Sequence, residues 1–190
     1  MLRRMSKILV LAGCFSLVSL AAPAQQVIHA LVGTITSVDA MAKTIALDTG
    51  DGSQTFFKYP PDSKTSVVFD RNIRTDAAAA GEFQQSGARV IVYYFGDGDL
   101  RAAVAVRGLG TGPFNEIVGT VAEFQKDKHS LLIADKSRQV QTFKIASGTV
   151  VESGMGAAEG LRFQPQQGDQ LRVLATVVNG AATALFINAL

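Results

Sequence analysis

Apolar and polar side chains alternate along short stretches of the chain, which is the pattern of β-strands that bury one face. The clearest examples lie in residues 89–94 and 171–177, where every second side chain is apolar and the side chains that alternate with them are of mixed polarity. The rows expected to face inward are Val90, Val92 and Tyr94 in the first stretch and Leu171, Val173, Ala175 and Val177 in the second. Each half of the chain therefore predicts at least one strand with a single buried face.

Further apolar and β-branched runs, separated by Gly, Asp and Asn, predict two series of short strands. The first series covers residues 28–38, 43–48, 54–59 with a short extension at 65–69, 90–95 and 100–106. The second covers residues 116–124, 130–134, 140–145, 149–152, 171–178 and 182–187. The turn at 96–99 and the Asn179-Gly180 pair predict a closing hairpin in each series.

The two series are copies of one unit. The motif VGTI at 32–35 returns as VGTV at 118–121, and the Phe-Lys pair at 57–58 returns at 143–144, both at an offset of 86. The motif G-x-x-V-x-V at 87–92 has a counterpart in GDQLRV at 168–173. These ordered matches predict a first unit over residues 28–107, a Gly-rich linker over 108–113 and a second unit over 114–190.

A small alanine-rich segment precedes the fourth strand region of each unit. Residues 75–81 combine an N-cap, helix formers and a final Gly, and residues 156–160 are a shorter version. Five to six short strands with a helical turn before the fourth is the layout of an OB-like barrel. The predicted fold is therefore all-β, with two tandem small OB-like barrels after an N-terminal signal helix.

The first 24 residues have the features of a secretory leader. Basic residues near the start precede an apolar run over 8–20, and small residues flank Pro23 before Gln25. The run is shorter than the ~20 residues of a spanning helix, so we expect export with cleavage between Ala24 and Gln25. The alternative is a lipid anchor on Cys14, since LAGC at 11–14 is similar to a lipobox, although the residues after Cys14 are apolar. A mature N-terminus at Gln25 would exclude the lipoprotein.

Charge and cysteine content narrow the function classes. The chain has 18 Lys and Arg against 16 Asp and Glu, and the leader contains three of the basic residues and none of the acidic ones. The mature protein then carries a net charge of −1 and no cysteine, which argues against nucleic acid as a partner. It also suits an oxidising compartment. We therefore expect a periplasmic or secreted protein, in contact with a membrane only if Cys14 is lipidated.

The pattern GTITSVD at 33–39, followed by an apolar strand, a Phe-Lys strand and G-x-x-V-x-V, resembles a family of small exported bacterial β-barrel domains of unknown function. These domains often occur in tandem, and the likeness covers nearly the whole mature chain. The resemblance implies an OB-like barrel and an envelope location. It implies no reaction.

The opening strand also resembles that of the periplasmic copper chaperones of metal-efflux systems. That family holds Cu(I) with a His, two Met and a Trp, but Trp is absent here and Met41 and Met155 lie in different units. The paired-Met strand of the family would fall near residues 66–68 and 150–151, which contain no Met. The copper site is therefore not expected, because Cu(I) needs soft thioether ligands.

Groups that could carry chemistry are sparse. We interpret His29 and His129 as isolated surface histidines, with no ligand or proton-relay partner nearby in the sequence. The Asp-rich turns at 48–52 and 97–99 offer too few oxygens for Ca²⁺. No nucleophile motif or phosphate-binding loop occurs, since the Gly-rich 108–112 lacks a following Lys-Ser/Thr. The sequence predicts no enzyme, no cofactor and no metal site.

A binding or assembly module in the envelope, with a protein or glycan partner, is the leading function hypothesis. OB-like barrels bind with strands two and three and the loops between strands 1–2 and 4–5. Those loops would be 39–43 with 96–99, and 125–129 with 179–181. Phe56, Tyr93, Phe95 and Phe124 are the nearby aromatic residues, and most are expected to serve the core or the strand surface. The alternative is a metal-handling periplasmic carrier that lacks the chaperone ligands.

Overall fold

The structure, a computed structural model, describes residues 27–50, 52–59, 78–79 and 86–190. It is all-β, as the alternation predicts, and the strands form two sheets of similar layout. The strands of the first sheet are β1 His29–Asp39, β2 Thr44–Asp48, β3 Gln54–Lys58, β4 Ala78–Ala79, β5 Arg89–Phe95 and β6 Ala102–Gly108. A 3-10 turn, Gly98–Leu100, joins β5 to β6.

The second sheet follows the same order along the chain. Its strands are β7 Phe114–Gln125, β8 Ser130–Ala134, β9 Val140–Ser153, β10 Gly156–Glu159, β11 Gln170–Val178 and β12 Ala181–Ala189. Two 3-10 turns, Lys126–Lys128 and Gly160–Arg162, lie between β7 and β8 and before β11. A cis peptide bond joins Gly112 to Pro113 in the connection from β6 to β7.

Each sheet closes on itself with five strands. In the first, the order is β3-β2-β1-β5-β6, and β3 meets β6 in parallel through Lys58 and Ala102. In the second, β9-β12-β11-β7-β8 closes through an antiparallel ladder between β8 and β9, while β9 and β12 run parallel. The two remaining strands lie outside these closed rings: β4 pairs with β6, and β10 pairs with β9.

The repeat is preserved down to single hydrogen bonds. Gly87 N–H donates to the Ile35 carbonyl at 2.7 Å, and Gly168 N–H donates to the Val121 carbonyl at 2.9 Å. The register of β1 shifts directly after Ile35, and the register of β7 shifts directly after Val121. The first strand of each unit therefore bends at the same place, which lets a single strand serve two sides of a small barrel.

Each barrel has its own apolar interior, built from the predicted inward rows. Phe57 and Phe143 are fully buried at equivalent positions in the two units. The first interior contains Ile35, Ile45, Leu47, Phe57, Val90, Val92, Ala103 and Val106. The second contains Val121, Leu131, Ile133, Phe143, Leu171, Val173, Ala184 and Ile187.

The alanine-rich segments are strands where the structure describes them, so the helical interpretation of these residues is wrong. Ala78 and Ala79 pair with Ala105 and Val106 of β6, and the rest of 75–81 lies outside the described residues. Residues 156–159 form β10 and pair with β9, and the helical turn begins only at Gly160. Gly156 has φ +103°, which no helix accepts. Alanine is the best helix former, but intrinsic propensity is a weak preference, and pairing with the open edge of β9 overrides it.

Two further predictions need correction. Residues 140–145 and 149–152 belong to one strand, β9, instead of two. Val177, placed in the inward row, is 63% exposed because it lies beyond the last residue of β11 that pairs with β7. The predicted strand 65–69, together with Cys14 and the Ala24–Gln25 cleavage site, lies outside the described residues.

The expectation of one buried face also fails for β5. Its outer row, Ile91 and Tyr93, is fully buried, because this face of the first barrel packs against the second barrel. Within 27–50, 52–59 and 86–190, no helix is long and apolar enough to cross a membrane.

Candidate functional site

The two barrels are joined by an apolar seam, a set of buried residues contributed by both units. Its centre is formed by Tyr93 of β5 and Phe186 of β12, exposed by 0% and 2% respectively. The seam comprises Ala30, Val32, Ile91, Tyr93, Val104 and Ala105 of the first barrel and Val150, Leu174 and Phe186 of the second. The packing explains why outward-facing positions of both barrels are apolar.

One edge of the seam carries a short contact between His29 and Glu152. His29 Nδ1 lies 2.7 Å from Glu152 Oε1, and the Ala30 N–H donates to Glu152 Oε2, also at 2.7 Å. Next to this pair, Ala157 N–H of β10 donates to the Ile28 carbonyl at 2.7 Å. The interpretation of His29 as an isolated surface residue is therefore wrong, because its partner comes from the other repeat, 123 residues away.

The Glu152 carboxyl is partly buried, and this burial shifts its pKa. Burial raises the pKa of Glu152, although the hydrogen bonds from His29 and from the Ala30 N–H, and the charge of His29, act in the opposite direction. Desolvation outweighs these because a charged carboxylate loses water on the seam side.

Tyr94 extends this polar edge into the first barrel. Its ring lies 5.7 Å from the His29 ring and 5.1 Å from the Phe57 ring, centroid to centroid. The Arg101 guanidinium lies 5.7 Å from the Tyr94 centroid, within cation–π range. Burial raises the pKa of Tyr94, and Arg101 partly offsets this by stabilising the phenolate. The row formed by Glu152, His29, Tyr94 and Arg101 thus runs from the seam to the 98–100 turn.

The opposite edge of the seam is held by arginines of the first barrel. Arg89 Nη2 donates to Glu116 Oε2 at 2.9 Å, and Arg107 Nη1 donates to the Gly148 carbonyl at 2.5 Å. Arg172 of the second barrel lies 3.8 Å from the same Glu116 carboxylate. Polar contacts therefore flank the apolar seam on both sides and fix the orientation of the barrels.

An exposed apolar pair lies beyond Arg101, on the outer surface of the first barrel. Phe56 is 59% exposed on β3, and Leu100 is 80% exposed in the 3-10 turn that lies against β3. The Lys58 N–H donates to the Arg101 carbonyl at 3.0 Å and holds the turn beside the strand. The corresponding strand position in the second barrel is the exposed hydroxyl residue Thr142, so the first barrel alone presents an aromatic side chain there.

The other aromatic candidates have structural roles, as expected for most of them. Tyr93 lies in the seam and Phe95 packs against it, while Phe124 packs against the interior of the second barrel. Of the four aromatic residues near the expected binding elements, Phe56 is the one with a largely exposed side chain. Met41 is 96% exposed in the β1–β2 turn, the predicted loop 1–2 of the first unit.

The metal candidates are not brought together. His129 lies in a left-handed turn at φ 47°, and its repeat equivalent Lys43 has φ 54°, so the shared requirement at this position is backbone geometry. The paired-Met strand of the copper chaperones would fall near 150–151 or 66–68. Val150 and Val151 are buried, and residues 66–68 lie outside the described residues. Across the described part of the chain, no three His, Cys, Asp or Glu side chains are placed to share a metal ion.

A cavity of about 490 Å³ lies where the connection from β6 to β7 meets the start of β5. Glycines 87, 108 and 110 form much of its wall, together with Thr111 and Phe114. Arg89, the charged residue of the wall, is already paired with Glu116. The cavity wall therefore consists largely of glycine backbone, and its one charged side chain already has a partner, so the exposed surface around Phe56 is the stronger candidate for binding.

No protein-family model matches the chain, and no curated protein matches its sequence. Assignment of a function therefore depends on the geometry of the seam and of the surface beside it.

The sequence contained one indication of the apolar seam, which the interpretation of residues 89–94 as a strand with one buried face overlooked. Ile91 and Tyr93 are large and apolar in the row predicted to face solvent, and large apolar residues on both faces of a strand indicate a second contact. Glu152 had no comparable signal, because its partner His29 is distant along the chain.

Proposed function

We propose that this protein is an exported, non-catalytic binding or assembly module of the cell envelope, made of two OB-like barrels. The five-strand order, with parallel contact between the third and last strands of each unit, supports the OB-like assignment. The leader-like residues 1–24 support export. The partner is an envelope protein or a glycan.

The binding surface is the outer face of the first barrel at Phe56 and Leu100. OB-like barrels bind with strands two and three and the loop between the last two strands. Phe56 lies on the third strand of its unit and Leu100 in that loop. The exposure of both side chains on neighbouring elements is the observation that carries the proposal, since an exposed apolar patch rimmed by polar residues is typical of an interaction site.

The polar surroundings suit selective binding. Asp97 and Asp99 lie exposed in the same loop, and Lys58 lies exposed on the same strand as Phe56. An apolar centre with a charged rim is the usual composition of a recognition surface. The partner therefore buries an apolar group on Phe56 and Leu100 and meets charged groups around them.

A photocrosslinking amino acid at position 56, in the exported protein in cells, tests the proposal. We expect adducts with a defined envelope protein in cells, or with purified peptidoglycan when isolated protein is used. Leu100→Ser should reduce the yield of these adducts about tenfold, since a buried leucine contributes roughly 1.5–3 kcal/mol. The control is the same crosslinker at Val140, which is similarly exposed on the second barrel. Equal labelling at 56 and 140, or labelling unaffected by Leu100→Ser, would contradict the proposed surface.

A further inference from the structure

We propose that the ligand of the Phe56 surface is a neutral saccharide chain, with one pyranose ring stacked on the Phe56 side chain. The inference rests on the proposed function and narrows its partner from two classes to one. A protein partner at the same surface would refute the saccharide and leave the surface itself intact.

The strand register places six side chains on one outer face of the first barrel, because residues directly opposite each other in an antiparallel pair share a face. The pairs are Gln54 with Asp48, Phe56 with Ala46, and Lys58 with Thr44. We call these six residues the Phe56 face. They alternate with Ile45, Leu47 and Phe57, which are fully buried in the barrel interior, so the Phe56 face is the outer side of strands β2 and β3.

The Phe56 face has an apolar centre and polar corners. Ala46, opposite Phe56, is small and only 3% exposed, so the phenyl ring is the large apolar group of the face. The corners carry a hydroxyl, a carboxylate, an amide and an ammonium group, on Thr44, Asp48, Gln54 and Lys58. They lie roughly 7 Å from the centre, about the distance that the hydroxyls of a stacked pyranose can reach. A pyranose ring has apolar C–H groups on its face and hydroxyls at its rim, and it therefore matches this arrangement.

A protein partner fits the same face less well. Protein interfaces of standard size bury about 800 Å² on each partner, and their cores are depleted of charged residues. Among the described residues of this surface, the large exposed apolar side chains are Phe56 and the neighbouring Leu100. Asp48 and Lys58 occupy positions next to the ring. A single sugar ring needs no larger apolar area than one phenyl group, and it uses the adjacent charged groups as hydrogen-bond partners.

The charges favour a neutral saccharide over an acidic one. Acidic side chains outnumber basic ones on the Phe56 face and in the 97–101 loop beside it. The acidic residues are Asp48, Asp97 and Asp99, and the basic ones are Lys58 and Arg101. The Arg101 guanidinium lies over the Tyr94 ring. Like charges across an interface disfavour binding, so a chain of uronic acids or sugar phosphates is a poorer ligand than a neutral chain.

The second barrel provides an internal comparison. Its corresponding face pairs Val140 with Ala134, Thr142 with Leu132, and Lys144 with Ser130. Thr142 takes the place of the phenyl ring, and Val140 and Ala134 take the places of the amide and carboxylate corners. The saccharide therefore binds the first barrel and not the second.

NMR titration of the full-length mature protein with two neutral probes, cellotetraose and the N-acetylglucosamine tetramer, tests the proposal. We expect at least one of them to shift the amide signals of residues 44–48 and 54–58 and to leave those of 130–134 and 140–144 in place. Tetragalacturonate, the acidic probe, should bind about tenfold more weakly than the better neutral tetramer, because like charges oppose its approach.

Phe56→Thr reproduces the centre of the second barrel's face and should weaken binding about tenfold or more, because the apolar surface that the sugar covers is lost. Phe56→Trp should keep the affinity, since it retains a flat aromatic ring. Gln54→Ala should weaken binding about threefold, the usual effect of one hydrogen bond. Thr142→Ala is the matched control on the second barrel and should leave the affinity unchanged.

The saccharide is refuted if neither neutral tetramer shifts the Phe56 face at about 10 mM, where even a weak complex with a millimolar Kd is populated. It is also refuted if Phe56→Thr retains the affinity or if tetragalacturonate binds as tightly as the neutral probes. If these tests fail and the crosslinker at position 56 still labels an envelope protein, the binding surface stands with a protein partner. Equal labelling from positions 56 and 140 would remove the surface as well.

Discussion

At the scale of single residues, the two units share positions where backbone geometry leaves no choice of side chain. A Cβ atom on Gly33 would lie 2.5 Å from the Asp48 carbonyl oxygen and 2.7 Å from Leu47 Cγ. The equivalent Gly119 faces the Ala134 carbonyl in the same way. The repeated glycine therefore marks the place where the first strand of each barrel crosses close over the second.

Gly33→Ala should lower the free energy of unfolding by about 1–3 kcal/mol, the usual cost of overpacking, because the new methyl group meets the Asp48 backbone carbonyl and the fully buried Leu47 side chain. Chemical denaturation of the purified protein measures the change. Gly154→Ala is the control, since nothing lies within 4 Å of a Cβ at that position and its φ is not in the left-handed region. Equal stability of the two variants would contradict the proposed close approach.

Among the elements, β9 departs furthest from the sequence-based expectation. Its 14 residues run along β8 with one half and along β10 with the other, and β12 pairs with both halves across a register shift. Thr149 holds the join: its hydroxyl accepts from the Ala146 N–H at 2.9 Å and donates to the Ala184 carbonyl at 2.6 Å. A buried hydroxyl thus satisfies two backbone groups where the ladder is interrupted.

Thr149→Val should destabilise the protein by about 1–3 kcal/mol, because the substitution keeps the shape and leaves the Ala146 N–H and the Ala184 carbonyl without this partner. Thermal or urea unfolding measures the loss. Thr142→Val, on the exposed side of the same strand, should change stability by less than about 0.5 kcal/mol. A neutral Thr149→Val would mean that water or a shifted backbone replaces the hydroxyl.

At the scale of the whole molecule, the seam consists of residues from both barrels and links their interiors. Tyr93 and Ile91 belong to a strand that also lines the first interior, and Phe186 and Leu174 belong to strands that line the second. Loss of packing at the seam therefore reaches both interiors. We expect the two barrels to unfold in a single transition.

Phe186→Ala should lower the stability of both barrels together by about 3–5 kcal/mol, the usual cost of removing a buried phenylalanine. Hydrogen exchange at Ile35 in the first barrel and at Ile145 in the second gives a separate readout for each. Val177→Ala, at an exposed position of β11 beyond its pairing with β7, should leave both unchanged. Loss of protection in the second barrel alone would show that the units are energetically independent.

Much of the fold could be predicted from the sequence because its determinants are local or periodic. Alternating side chains defined the strands and the interior rows, and the repeat at 32–35 and 118–121 predicted that one architecture occurs twice. Asn179 and Gly180, at φ 51° and 77°, confirm the predicted tight hairpin turn. These features depend on residues that are close along the chain or on the regularity of a strand.

What only the tertiary structure decided are the contacts between distant parts of the chain. The strand state of Ala78 and Ala79 depends on an open edge of β6, and the burial of Ile91 and Tyr93 depends on a second barrel facing them. The His29–Glu152 pair is the extreme case, since a hydrogen bond across 123 residues leaves no periodic trace. Local propensity and alternation define strands and interiors, whereas the docking of two closed surfaces is set by their shape and charge in three dimensions.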